Sequence, residues 1–165
     1  MRQESVLNLT HNGLTPVRQE MFQIEEIDLS QQNVVIVRSL YEAFAKGDVP
    51  TVLGAFTPDA EWWEAENFLY ADGNPYVGPG AILQGVFLRL ATEWDGFGAH
   101  PAQFLDAGDT VIATGRYTGA YKATGKSIDA QFAHVWTLAN GKVARFQQYA
   151  DTLQVARAVQ QAAGA

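Results

Sequence analysis

Apolar positions change period once along this chain, and that change predicts its architecture. From about Gln31 the apolar residues follow a helical spacing. Val37, Leu40, Tyr41 and Phe44 fall at i, i+3, i+4 and i+7, one face of a helix. Gly47 supplies a left-handed stop, and Asp48 can cap a second helix through Thr51, Val52, Leu53 and Phe56, ended by Pro58. A short strand over Glu61–Glu66 follows, then a loop rich in Gly, Pro, Asn and Asp from Tyr70 to Gly80. Pro79 opens a third helix carrying Ile82, Leu83, Val86, Phe87 and Leu90.

From Gln103 the period becomes two. Strands are predicted over Gln103–Leu105, Thr110–Tyr121, Ser127–Leu138 and Lys142–Tyr149. Asn140-Gly141 is the strongest local signal, because it suits the two positive-φ positions of a type I′ hairpin. A last helix follows, capped by Asp151 or Thr152 and carrying Leu153, Ala156 and Val159. Helices first and an antiparallel meander afterwards predict an α+β domain. Residues 1–30 carry no sustained helical period and form an N-terminal arm, with 31–165 as the single domain. Within the arm, Phe22, Ile24, Ile27 and Leu29 either make a short docked strand or belong to a loosely attached segment.

Composition narrows the function. The 165 residues are 47% hydrophobic and only 18% charged, which excludes a disordered chain. Aromatics make up 12%, enough for either a thick core or a lined pocket. The net charge of −7 repels phosphate backbones and anionic lipid, so neither nucleic acid nor a membrane is an expected partner. Absence of cysteine removes thiolate chemistry and Cys-ligated metal sites, and fits a cytoplasmic location. Met1–Ser5 opens no apolar signal run, and no stretch reaches the length of a membrane span.

Several strings resemble a known superfamily. They are Leu40-Tyr41-Glu42-Ala43-Phe44-Ala45-Lys46-Gly47-Asp48, Asp59-Ala60-Glu61-Trp62-Trp63-Glu64, Gly115-Arg116-Tyr117, and His134-Val135-Trp136-Thr137-Leu138-Ala139-Asn140-Gly141-Lys142-Val143. Together they resemble the nuclear-transport-factor-2-like superfamily, and within it the SnoaL-like, polyketide-cyclase-like and ketosteroid-isomerase-related proteins, over residues 33–160. The resemblance implies a cone-shaped curved antiparallel sheet wrapped by N-terminal helices (the cystatin-like arrangement), a hydrophobic pocket inside, and a homodimer packed sheet to sheet. It leaves function open, since the superfamily holds enzymes and binders alike.

By resemblance Glu64 matches the general-base aspartate of the isomerases. A carboxylate walled by Trp62 and apolar neighbours has its charged form disfavoured, which raises its pKa toward a useful base. Against this stands a solvated rim or salt-bridge role. The departures are equally specific. The isomerase's oxyanion tyrosine falls on Leu40, with Tyr41 one residue away, and its proton-donating aspartate falls on Ala133. Gln148 stands where related cyclases and epoxide hydrolases carry an aspartate. Glutamine cannot exchange a proton at neutral pH, but it can orient a carbonyl or a water.

Strand parity assigns these residues to faces. A two-residue turn at Asn140-Gly141 pairs Ala139 with Lys142 and, continued without a bulge, sorts the hairpin. One face then holds Phe132, His134, Trp136, Leu138, Val143, Arg145, Gln147 and Tyr149. The other holds Ala133, Val135, Thr137, Ala144, Phe146, Gln148 and Ala150. The second is smaller and is expected to face a ligand, the first a second subunit. On this reading Tyr41, Trp62, Phe146 and Gln148 contact ligand, and His134 is either a structural residue of the dimer face or a second catalytic candidate. Arg116, opposite Ala133 if Thr124-Gly125 turns tightly, either pairs with Glu64, clamps a ligand carbonyl, or sits on the sheet rim. No convergent metal-ligand set can be assembled with His11 and His100, and no cofactor is expected.

Two functions compete. One is a cofactor-independent isomerase, cyclase or lyase on a small apolar carbonyl compound, with Glu64 as base. The other is a non-catalytic module of the same fold that holds a small ligand or a partner.

Overall fold

A computed structural model describes residues 16–161. Helix α1 (Pro16–Ala45) is followed by α2 (Val49–Gly54), strand β1 (Phe56–Trp63) and the two-residue strand β2 (Tyr76–Val77). Helix α3 (Pro79–Ile82) continues through a π-helical turn, Leu83–Phe87, into α4 (Leu88–Glu93). Four long strands come next: β3 (Trp94–Ala107), β4 (Thr110–Tyr121), β5 (Lys126–Ala139) and β6 (Lys142–Ala150). Helix α5 (Thr152–Val159) closes the chain. The strands form one sheet in the order β2-β1-β6-β5-β4-β3, antiparallel except where β1 runs parallel to β6.

The caps behave as the sequence predicts. Gly47, at φ 71°, ends α1: its N–H donates to the Phe44 carbonyl and the Asp48 N–H to the Ala43 carbonyl, a Schellman motif. Asp48 then caps α2 by accepting from the Thr51 N–H at 3.1 Å, and Asp151 caps α5 by accepting from the Gln154 N–H. Asn140 (φ 51°) and Gly141 (φ 73°) make the hairpin turn.

Three expectations change. The short strand over Phe22–Leu29 does not form, because that backbone is already helical within α1. Pro16 suits a first helical position, and the Gln- and Glu-rich run after it propagates the helix upstream of its apolar stripe. The second helix stops at Gly54, so Phe56 and Pro58 lie in β1. Pro58 falls in the gap of the β1–β6 ladder between Phe56 and Glu61, where its missing N–H costs no ladder bond. Strand β3 begins at Trp94, nine residues before Gln103. Irregularities between Asp95 and Gly98 and between Pro101 and Gln103 interrupt its alternation, which hides the strand period and bends the sheet.

That bend makes the cone. Its concave face is covered by α1, α3 and α4, and the core lies between, from Val37, Leu40 and Tyr41 of α1 to Phe132, Trp136 and Phe146 of the sheet. No helix among the described residues is long and apolar enough to cross a membrane.

Candidate active site

Glu64 stands just past the end of β1, two residues from Trp62, so both side chains project to the concave face. It is 2% exposed. Its Oε1 accepts from the Trp62 indole Nε1 at 2.6 Å, and its Oε2 has no hydrogen-bond partner. The backbone of Glu64 is clamped from the loop that follows. Asn74 Oδ1 accepts from the Glu64 N–H at 2.9 Å, and Asn74 Nδ2 donates to the Glu64 carbonyl at 2.7 Å. Burial pushes the carboxyl up to about 7, against partial relief from the Trp62 indole and the Gln148 amide.

A chain of polar side chains runs beside it. The Trp136 Nε1 donates to the Tyr41 hydroxyl at 3.0 Å, and that hydroxyl is 2.7 Å from His134 Nδ1. On the other side His134 Nε2 meets the Tyr117 hydroxyl, which also accepts from Gln148 Nε2 at 2.9 Å. Gln148 Oε1 in turn accepts from the Ala65 N–H at 3.0 Å. Burial lowers His134 to about 3, so its imidazole is neutral at physiological pH. The phenols of Tyr41 and Tyr117 are raised by the same cause and stay protonated.

These groups line a cavity of about 50 Å³, room for three to five waters at about 10–15 Å³ each. The remaining wall is apolar: Trp62 stacked on Phe146 with ring centroids 3.7 Å apart, Phe68, Phe87 and Leu90. The arrangement places one bare, readily titrated carboxylate oxygen against neutral hydrogen-bonding groups in a largely apolar cavity. Such a site can move a proton at carbon without a metal.

The structure brings together Glu64, His134, Tyr41, Trp62, Phe146 and Gln148. Arg116 lies elsewhere. It is on the convex face, opposite Gln131, in an exposed ion pair with Asp129. Two further expectations are corrected for the same reason. His134 and Trp136 face the cavity and not a subunit interface, whereas Ala133, Val135 and Thr137 turn outward. The cause is a bulge in the hairpin. Leu138 opposes Val143, but Thr137 opposes Arg145, so β6 carries one extra residue at Ala144. The bulge moves Phe146 and Gln148 onto the same face as His134 and Trp136. Arg116 shares the face of Ala133, as the parity argument requires, and leaves the pocket with it.

Two site residues were not singled out from the sequence. Asn74 is hidden in a loop whose composition indicates only a turn. Tyr117 sits in the quoted string Gly115-Arg116-Tyr117, and once His134 is known to face inward, strand alternation across β4 and β5 places it there too.

Comparison with known proteins follows the same lines. The family model for the SnoaL-like domain matches residues 37–146. A crystal structure of an NTF2-like protein from Burkholderia thailandensis is 41% identical, covers 78% of this chain and 97% of its own, and superposes with a TM-score of 0.74. TerC co-crystallized with polyporic acid is 25% identical, covers 77% of this chain and 97% of its own, with a TM-score of 0.69. A putative SnoaL-like polyketide cyclase from Jannaschia shares the fold at 20% identity and a TM-score of 0.69, covering 79% of this chain and 93% of its own. No curated relative matches the sequence.

Proposed function

The chain belongs to the SnoaL-like domain family, and from that premise we propose that it is a cofactor-independent acid–base enzyme acting on a small apolar carbonyl compound, with Glu64 as its base. The observation that carries this reading is the buried Glu64 carboxyl, one oxygen bonded to Trp62 and the other bare, on an aromatic cavity. A base works best when its pKa lies near the working pH, and a carboxyl at about 7 meets that condition. The co-crystallization of TerC with polyporic acid supports an organic small molecule as the ligand class.

The step balances without a cofactor. Glu64 Oε2 takes a proton from a carbon next to the carbonyl. The C–H electron pair becomes a carbon–carbon π bond, and the carbonyl π pair moves to oxygen as an enolate. Return of the proton from the Glu64 carboxylic acid to the same or a vinylogous carbon gives exchange or double-bond migration. Attack of the enolate carbon on a second carbonyl of the same molecule breaks that carbonyl's π bond, and the alkoxide formed takes the proton back from the Glu64 carboxylic acid, giving cyclization. His134 takes no proton in this scheme, because its buried ring is neutral and both nitrogens are engaged.

The test is hydrogen–deuterium exchange at the α-carbon of small cyclic ketones and enones in heavy water, followed by proton NMR. Unsubstituted protein is expected to accelerate exchange and Glu64→Gln to abolish it, with folding retained. Equal rates from both proteins would overturn the assignment.

A second reading, a non-catalytic holder of a small ligand, draws on the narrowness of the cavity and on Gln148, which cannot transfer a proton. Native mass spectrometry of the purified protein separates the two. A retained, unaltered ligand together with no exchange activity would favour the holder.

A further inference from the structure

The polar chain beside Glu64 contains two hydrogens more than its own contacts consume, the second amide hydrogen of Gln148 and one tyrosine hydroxyl hydrogen. Two of its links are fixed by chemistry, since the Trp136 Nε1–H and, with Gln148 Oε1 held by the Ala65 N–H, the Gln148 Nε2 can only donate, to Tyr41 and Tyr117 respectively. The other two links join each phenol to one nitrogen of His134. A neutral imidazole has one N–H and one bare nitrogen. It therefore donates to one phenol and accepts from the other. The phenol that receives the imidazole N–H already accepts a second bond, and its own hydroxyl hydrogen is left without a partner inside the chain.

Across the cavity the deficit is of opposite kind. Glu64 Oε2 is a buried acceptor with no donor. Of the two phenols, Tyr117 is the one tied toward that carboxyl: Gln148 bonds both the Tyr117 hydroxyl and the N–H of Ala65, the residue after Glu64. Negative charge on Glu64 favours a hydroxyl hydrogen at this end of the chain over one at Tyr41. That preference selects the His134 tautomer with its proton on Nε2, donating to Tyr117, while Tyr41 donates to Nδ1. No carboxylate hydrogen-bonds the ring among the described residues, so nothing there stabilises the doubly protonated form.

We propose that Tyr117 donates the hydrogen bond that receives the substrate oxygen, and that His134, as the neutral Nε2–H tautomer, is the positioning residue that frees the Tyr117 hydroxyl for it. The inference rests on the reading of Glu64 as base and extends it to the substrate. The ligand is a compact ketone or enone whose oxygen reaches Tyr117 while an acidic C–H faces Glu64 Oε2. It also accounts for a spare hydroxyl donor and a spare carboxylate acceptor in otherwise apolar walls.

Long-range proton–nitrogen NMR of the uniformly nitrogen-15-labelled full chain tests the tautomer without any substrate, with the His134 signals assigned by His134→Gln. The expected result is a neutral ring with Nε2 protonated and Nδ1 bare from pH 7.5 to 9, where Glu64 carries its charge. A proton on Nδ1, or a doubly protonated ring in that range, overturns the proposal whatever else is found. The donor is tested with 4-nitrophenol, whose phenolate absorbance reports its charge state in the pocket. Loss of one hydrogen bond to a charged oxygen is expected to weaken phenolate binding about ten- to hundred-fold in Tyr117→Phe. Tyr41→Phe should change it less than about three-fold, since that hydroxyl is committed to His134. Equal losses, a larger loss in Tyr41→Phe, or no binding by the unsubstituted protein would count against Tyr117 as the donor. A Tyr117→Phe chain that fails to fold leaves the tautomer measurement as the deciding result. These readouts stay separate from the role of Glu64. If Glu64→Gln keeps full exchange activity, the base assignment falls while tautomer and phenolate binding still report on Tyr117 and His134.

Discussion

A carboxyl group enclosed by aromatic rings, with one oxygen left bare, titrates differently from one in water, and for Glu64 the shift has two consequences of definite sign. Its pKa rises from 4.5 to about 7, so exchange activity should increase with pH and level off above about 7. Folding is affected in the opposite direction. Between pH 4.5 and 7 the folded chain holds a proton on Glu64 that the unfolded chain has released, so this residue's contribution to stability falls as pH rises across that window. The full difference is about 3 kcal/mol. His134, lowered from 6.5 to about 3, acts in the other sense: its contribution is complete above pH 6.5 and is lost as pH falls toward 3. In Glu64→Gln only the second slope survives. Urea unfolding from pH 4.5 to 8 should therefore show the variant gaining on the unsubstituted protein as pH rises, and a constant difference would contradict the buried, raised carboxyl. Asn74→Ala tests how Glu64 is held. Removing both bonds to its backbone should cost about 1–3 kcal/mol of stability and reduce exchange activity more than binding of 4-nitrophenol. Equal losses in the two functions would argue against a positioning role.

At the scale of elements, two strand irregularities shape the site. The extra residue at Ala144 decides which side chains of β6 enter the cone, and the breaks in β3 bend the sheet toward the helices. The second feature depends on Gly115. A Cβ there would stand 2.1 Å from the His100 carbonyl oxygen and 2.8 Å from Pro101 Cα, both backbone atoms that cannot swing aside. Gly115→Ala should destabilise the protein by about 2 kcal/mol or more, by forcing β3 and β4 apart at the bend. A melting temperature lowered by roughly 4–8 °C in calorimetry would match that cost. An unchanged value would show that the bend tolerates a side chain. The π-helical turn at Leu83–Phe87 has a comparable local effect, carrying Val86 and Phe87 onto the cavity wall.

For the whole molecule, the question is what covers the convex face of the sheet. Of the aromatics expected there, Phe132 and Trp136 are inside the cone and Tyr149 stays outside, so the argument for a homodimer changes its footing. The face instead presents half-buried Ile112, Val135 and Thr137, with Leu105 at 42% and Tyr149 at 58% exposure. We propose that two copies pair through the apolar part of it, beside the exposed Arg116–Asp129 pair, since that surface gains by losing water. Sedimentation velocity at micromolar concentration should give a dimer. A monomer would leave this face as plain solvated sheet.

Much of this was legible in local chemistry. Gly47, Asp48, Asn140-Gly141 and Asp151 act through their nearest neighbours, so their roles as stop, cap and turn follow from residue type alone. Glu64 was singled out by the resemblance of the string Asp59–Glu64, and the structure places it on the face of Trp62. Local rules could not reveal the extra residue in β6, because a bulge is set by how two strands fit and leaves no mark on either one. That single residue inverted the faces, moving His134 and Trp136 inward and Arg116 out. Nor could they bring Asn74 to the Glu64 backbone, or join Tyr41, His134 and Tyr117 from α1, β5 and β4 into one chain of hydrogen bonds. Periodicity in the sequence determined most of the elements, and the resemblance of its strings implied the cone. The tertiary structure alone decided which groups share its interior, because side chains distant in sequence meet only after the sheet has bent and closed around them.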